Sequence, residues 1–199
     1  MNNHESIIRD INNKINKLNS LGFAVIFMIG GNNSSGKSTV SKQLLCNCSF
    51  IQSVNLGVIS KMIRCFRKDF LVSSIENFNE ATVQSLFDRI IDFFANHYYC
   101  AGVNTIFEGV QINSRYLSKN KFVTGGVLLD VSKETAIRRG NFPNTHFKRK
   151  LAQSDVVKLV FNEDLKFKVV DNEHDLPHTM STVYEHLNYL LTNELLKYE

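Results

Sequence analysis

Tryptophan is absent from this chain of 199 residues, proline occurs only at Pro143 and Pro177, and cysteine only at positions 46, 48, 65 and 100. Scarce proline and scattered glycine exclude a collagen-like or proline-rich low-complexity chain. Four cysteines are too few for a disulfide scaffold, and a chain of this length buries a core large enough to fold without staples. Cys46 and Cys48 form a close pair, but no second Cys or His pair stands at zinc-like spacing. Cys46, Cys48, Cys65 and Cys100 are therefore predicted to be free thiols. His174 and His178 stand four apart with Pro177 between them. Proline disrupts a helix interior, so the pair is read as surface loop histidines and not as a metal clip.

Long apolar runs are missing too. The longest, Phe23 to Ile29, falls far short of the ~20 residues that cross a bilayer. The first residues, MNNHESIIRDINNK, carry acids and no apolar stretch, unlike a secretory signal. A cytoplasmic protein with no membrane partner is expected. Nor does one sign of charge dominate: the formal net charge is +4, too mild to imply nucleic acid as a partner by itself. The 43% hydrophobic and 21% charged residues are ordinary for a globular protein. Without a linker or a repeat, residues 1–199 read as a single domain. The sequence carries no signature of an oligomeric state.

What is present is an alternation of strand and helix patterns. Within residues 1–20, Ile7, Ile8, Ile11, Ile15 and Leu18 recur at helical spacing, an N-terminal amphipathic helix from about Glu5 to Asn19. Phe23 to Ile29 reads as a central parallel strand, with weaker strands at Phe50 to Val54, Asn104 to Phe107, Gly126 to Val131 and Lys168 to Val170. Helices are predicted over Lys37 to Leu45, Val58 to Phe66, Ala81 to Tyr99, Lys133 to Arg139, Lys148 to Leu165 and Ser181 to Lys197. Strands alternating with helices imply right-handed βαβ units. The fold class is α/β: three layers, a parallel sheet of about five strands with helices on both faces.

Between the first strand and the next helix lies Gly31-Asn32-Asn33-Ser34-Ser35-Gly36-Lys37-Ser38-Thr39, the G-x-x-x-x-G-K-S pattern of a phosphate-binding P-loop. A triphosphate needs its charge neutralised without bulky side chains in the way. Gly31 and Gly36 let the backbone wrap so that N–H groups turn inward, and the following helix adds its positive end. Lys37 is expected at the β- and γ-phosphates and the Ser38 hydroxyl at Mg²⁺. The apolar strand before and the helix after supply the context that a chance glycine turn lacks. Asn120-Lys121-Phe122-Val123 lacks the Asp of a guanine-reading motif, which argues against a GTPase.

Two further segments point to a kinase. In Thr105-Ile106-Phe107-Glu108-Gly109-Val110 a carboxylate ends a strand, where an acid that organises Mg²⁺ or accepts the acceptor's proton belongs. Residues 138–150, RRGNFPNTHFKRK, hold five basic residues and no acid. They read as a small basic lid, with Arg138, Arg139 and Arg149 as cations for the transferring phosphoryl group. A solvated basic surface is the alternative for that run, and a loop acid the alternative for Glu108.

The combination of IGGNNSSGKSTVSKQL, IFEGVQI and LLDVSKETAIRRG resembles the 2-phosphoglycerate kinase group. More broadly it is similar to the P-loop kinases that include uridine kinase, chloramphenicol phosphotransferase and polynucleotide kinase. The resemblance implies ATP and Mg²⁺ as cofactors and a hydroxyl-bearing acceptor. That group typically carries an Asp, then Arg-Glu, in the turn after the second strand. Here the matching stretch is Val54-Asn55-Leu56-Gly57-Val58-Ile59-Ser60-Lys61, without the Asp and with Ser60-Lys61 in place of Arg-Glu. Arg64 stands at the position of a later family arginine. Lys61, Arg64 and Lys68 share one helix face, either to meet an anionic substrate or as a solvated basic face. The expected activity is transfer of the γ-phosphate to a hydroxyl of a small metabolite, nucleoside or sugar phosphate. A kinase for hydroxyls of DNA or RNA and a non-catalytic ATP-binding module are the alternatives.

Overall fold

A computed structural model describes residues 3–62, 80–110, 112, 120–140 and 166–198, with no side-chain description at 3 and 80–87. Within them the elements run in chain order as α1 (Asn3–Ser20), β1 (Ile26–Gly31), α2 (Lys37–Asn47), β2 (Gln52–Asn55), α3 (Glu80–Cys100), β3 (Thr105–Glu108), β4 (Gly125–Asp130), α4 (Lys133–Gly140), β5 (Phe167–Asp171) and α5 (Leu176–Leu195). A helical segment, residues 56–62, follows β2 directly.

The five strands form one parallel sheet in the order β2-β3-β1-β4-β5. Side chains along β1 alternate. Phe27 and Ile29 join the core under α1, α2 and α5, whereas Ile26 and Met28 join Ile91 and Ala95 of α3 on the other face. Ile26 to Gly30 are buried because both faces are covered, which is why the strand reads as one unbroken apolar run. Each such side chain contributes about 1.5–3 kcal/mol by leaving water. The α/β three-layer expectation therefore stands, with helices on both faces.

Ile11, Ile15 and Leu18 bury the apolar stripe of α1 in that core. A polar cluster fixes its angle. Asn12 donates to the Asn47 carbonyl at 3.0 Å and accepts from the Ser49 backbone at 2.7 Å. Asp10 accepts from both Lys14 and Asn188 of α5.

The elements lie where the sequence places them, within a few residues, except at α5. That helix begins at Leu176, five positions ahead of the predicted Ser181. Pro177 sits in its first turn, where the missing N–H has no intrahelical partner to lose. Asp175 caps this start by accepting the His178 N–H at 3.0 Å. His178 is thus helical, not in a loop. Its ring meets the His174 ring edge-on at 4.8 Å, and His174 pairs with Asp171 at 3.5 Å. Among the described residues no group of three or more His, Cys, Asp or Glu is placed to hold a metal, and Cys46, Cys48 and Cys100 are unpaired. No described helix is long and apolar enough to cross a membrane. The predicted helix Lys148 to Leu165, the end of the one over Val58 to Phe66, and Cys65 lie outside the described residues.

Candidate functional site

From β1 the chain moves to one edge of the sheet, returns through β3, and then crosses to β4 on the other side. The strand order reverses at β1, and crevices at such points open beyond the carboxyl ends of the strands. There β1 leads into residues 31–36, and α2 starts at Lys37. Gly31 (φ +133) and Gly36 (φ +91) adopt backbone conformations that L side chains rarely take. Their space is closed as well. A Cβ on Gly31 would lie 2.4 Å from the Leu129 carbonyl oxygen, and one on Gly36 would lie 2.6 Å from Asn172 Nδ2. Ser34 also takes the left-handed region (φ 62), a strain of about 1–2 kcal/mol held by the surrounding loop. The Gly36 carbonyl accepts from the Thr39 and Val40 N–H groups, each at 3.0 Å, and so starts α2 directly behind the loop.

Lys37 folds back over this loop. Its Nζ donates to the carbonyls of Gly31 (3.0 Å) and Asn32 (2.5 Å) and lies 3.4 Å from Ser35 Oγ. One residue on, Ser38 Oγ donates to Glu108 Oε1 at 3.1 Å. Glu108 ends β3 in register with Ile29 of β1 and Asn55 of β2. Parallel pairing therefore delivers the acid to the foot of α2. Its side chain is buried, 6% exposed, and Oε1 also accepts from Asn55 Nδ2 at 2.7 Å. The other oxygen, Oε2, is buried with no hydrogen-bond partner among the described residues. A buried carboxylate oxygen left bare is costly and rare, and beside a serine hydroxyl it forms a hard-oxygen donor set suited to Mg²⁺.

The strand tips on the other side hold the loop in place. Asn172, just past β5, donates through Nδ2 to the Ser35 carbonyl at 2.6 Å, while its Oδ1 accepts from Thr179 Oγ1 at 2.6 Å. Both side chains are buried. The neighbouring Glu173 accepts from the Ser132 N–H and, at 2.5 Å, from Thr135 Oγ1, and so is tied to the start of α4. These bonds, with a smaller contribution from the positive charge of Arg139, hold its carboxyl below the usual carboxylate range. One dipeptide thus ties the P-loop to the base of α4.

The structure brings together residues 31–39 and Glu108. Arg138 and Arg139 are exposed on the last turn of α4, within the predicted helix, and Arg138 reaches Thr135 Oγ1 at 3.5 Å. Lys61 is exposed on the helical segment after β2. Arg64, Lys68, Arg149 and the lid residues from 141 to 150 lie outside the described residues. Sequence reasoning missed Asn55 as a partner of Glu108, and missed Asn172, Glu173 and Thr179 altogether. The signal was available: each of the first three stands at the carboxyl end of a strand, where sites of this sheet class gather.

No family model matches the chain, and no curated protein sequence matches it. Solved structures do. A gluconokinase from Sinorhizobium meliloti 1021 superposes with a TM-score of 0.57 at 13% identity, covering 89% of this chain and 99% of that one. A thymidylate kinase from Candida albicans gives 0.59 at 15% identity, covering 86% and 93%. A sugar kinase from Janibacter sp. HTCC2649 gives 0.54 at 15% identity, covering 84% and 98%. At such identities the likeness is one of fold: the chain shares the fold of these three kinases. It does not single out the 2-phosphoglycerate kinase group.

Proposed function

We propose that this chain is an ATP- and Mg²⁺-dependent kinase that transfers the γ-phosphate to a hydroxyl of a small metabolite, nucleoside or sugar phosphate. One observation carries the reading. Ser38 of the P-loop donates to Oε1 of a buried Glu108 at the foot of α2, and the other oxygen of that carboxyl, Oε2, has no hydrogen-bond partner among the described residues. A glycine turn kept only for its shape gives no reason for that pairing. The likeness in fold to a gluconokinase, a thymidylate kinase and a sugar kinase supports a small acceptor.

In this reading the loop amides of residues 31–39 cradle the phosphates at the positive end of α2. Lys37, which rests on the Gly31 and Asn32 carbonyls, turns its ammonium to the β- and γ-phosphates. Ser38 and Glu108 hold the Mg²⁺, which supplies charge neutralisation to the phosphate oxygens. Arg138, Arg139 and Arg149, on a lid formed by residues 138–150, offset the charge that spreads over the transferring group and help exclude water. Lys61 and Arg64 meet an anionic acceptor. The acceptor oxygen forms its bond to phosphorus as the bond to the β-phosphate oxygen breaks; ADP leaves, and the hydroxyl proton passes to water. A single kinase domain and a cytoplasmic location complete the proposal.

The test is incubation of the purified protein with γ-labelled ATP and a panel of acceptors: gluconate, other sugar acids, sugars, nucleosides, nucleoside monophosphates and a 5′-hydroxyl oligonucleotide. Label should move to one of the small acceptors and require Mg²⁺. Label on the oligonucleotide alone would replace the acceptor class. ATP binding without transfer to any acceptor, in the panel or in a mixed cell extract, would leave a binding module.

A further inference from the structure

Glu108 is held by a residue outside the P-loop. Asn55 ends β2 directly opposite Glu108 in the parallel register. Its amide serves two masters at once. The Nδ2 group donates to Glu108 Oε1 at 2.7 Å, and Oδ1 accepts the Val58 N–H at 3.0 Å, which caps the helical segment 56–62. The two bonds assign the amide without ambiguity: turned over, an oxygen would face the carboxylate and an NH₂ would face an N–H.

Glu108 Oε1 thus takes two hydrogen bonds, from Asn55 and from Ser38, while Oε2 takes none. A carboxylate held by one oxygen cannot spread its charge evenly over its partners, and the plane of the group is set by the side that is tied. We propose that Asn55 is the positioning residue of the metal carboxylate: it pins Oε1 so that Oε2 stays bare for Mg²⁺, and by the same side chain it fixes the start of the acceptor-side helix. The inference rests on the kinase reading above.

The residue type follows from the two tasks. Aspartate would cap the helix but would set a second carboxylate against Glu108. Serine or threonine would cap it but lacks an amide that reaches across to β3. Glutamine would carry the donor on a longer stem and is a poor cap. Only asparagine does both. Asn55 is itself exposed, so core packing does not account for it.

The experiment measures binding of ADP to the full chain over a series of Mg²⁺ concentrations, for the wild type, Asn55→Ser and Asn55→Ala, with melting temperatures taken in metal-free buffer. Serine preserves the cap and removes the amide, so Asn55→Ser should melt near the wild type. The Mg²⁺ concentration for half-maximal effect should nevertheless rise by ~10–100-fold, the usual consequence of losing a partner that orients a metal ligand. Asn55→Ala should show the same metal shift together with a lower melting temperature. Asn55→Thr, another capping residue without an amide, takes the place of the serine variant if that does not fold. A wild-type Mg²⁺ requirement in the serine or threonine protein overturns the proposal, as does a metal shift that appears only in the alanine protein with its lost stability. The wild-type arm stands apart: if ADP binding there is indifferent to Mg²⁺, the kinase reading itself falls.

Discussion

The side-chain amide of Asn172 donates to the backbone carbonyl of Ser35 at 2.6 Å, joining two points 137 residues apart. The amide oxygen is held in turn by Thr179 of α5. The P-loop is therefore not shaped by its own glycines alone. A buried bond from the far end of the sheet fixes the peptide just before Gly36, the residue that precedes the first turn of α2. Such bracing holds the loop backbone in one shape, and a preorganised loop gives up less freedom on binding.

Asn172→Ala should therefore lower both stability and nucleotide affinity. Thr179 can fall back on the Asp175 carbonyl, 3.3 Å away, but the Ser35 carbonyl loses this partner in a buried place. The expected loss of stability is about 1–3 kcal/mol. Asn172→Asp should be worse, because a carboxylate would face the carbonyl. Chemical denaturation and ATP titration measure the two effects. An alanine protein with unchanged stability and affinity would show that the loop shapes itself.

Lys37→Ala should abolish phosphoryl transfer while the protein stays folded. The lysine rests on loop carbonyls rather than in the core, so its removal opens no apolar cavity. Transfer at the wild-type rate, with circular dichroism confirming the fold, would mean that this loop is not where ATP reacts.

Glu108→Gln keeps the size of the side chain and can keep the bonds to Asn55 and Ser38, but it replaces the bare oxygen or its charge with a neutral amide. Turnover should fall by ~10²–10⁴-fold while nucleotide binding persists. Partial rescue by excess Mg²⁺ would mark a metal role, and indifference to Mg²⁺ a role as base. The metal role is expected, because a loose phosphoryl-transfer transition state asks little of a base. Near-normal turnover at saturating ATP would exclude both.

Arg139→Ala should reduce turnover more than ATP affinity if the basic lid acts on the transition state. Arg138→Ala and Arg149→Ala belong in the same series, each alone. Wild-type kinetics in all three would return residues 138–150 to a solvated surface.

The cysteines should react unequally with a thiol-alkylating reagent. Cys46 and Cys100 are exposed, whereas burial pushes the Cys48 thiol from 9.0 up to about 12. A raised value favours the protonated thiol in the folded state. The stability this lends is whole below pH 9 and is lost as pH climbs toward 12. At pH 8, site-resolved mass spectrometry should find Cys46 and Cys100 modified and Cys48 spared until denaturant is added. Equal labelling in the folded protein would mean that the Cys48 site opens readily.

The sequence by itself determined the local and periodic features. The apolar run that leads into β1, the glycines and lysine of residues 31–37, the stripe on α1 and the Glu-Gly pair at the end of β3 are each decided by near neighbours in the chain, so spacing alone reveals them. Pro177 misled for a related reason: proline ends a helix interior and also opens a first turn, and only the Asp175 cap shows which of the two holds here. What the tertiary structure decided is every relation that crosses the sheet. The order β2-β3-β1-β4-β5 sets Glu108 beside Ser38, and parallel register brings Asn55 level with it. Asn172 meets Ser35 only because β5 and α5 carry it there. No periodicity encodes these meetings, because each depends on two strands ending at the same height, and strand ends align only when the whole core has packed.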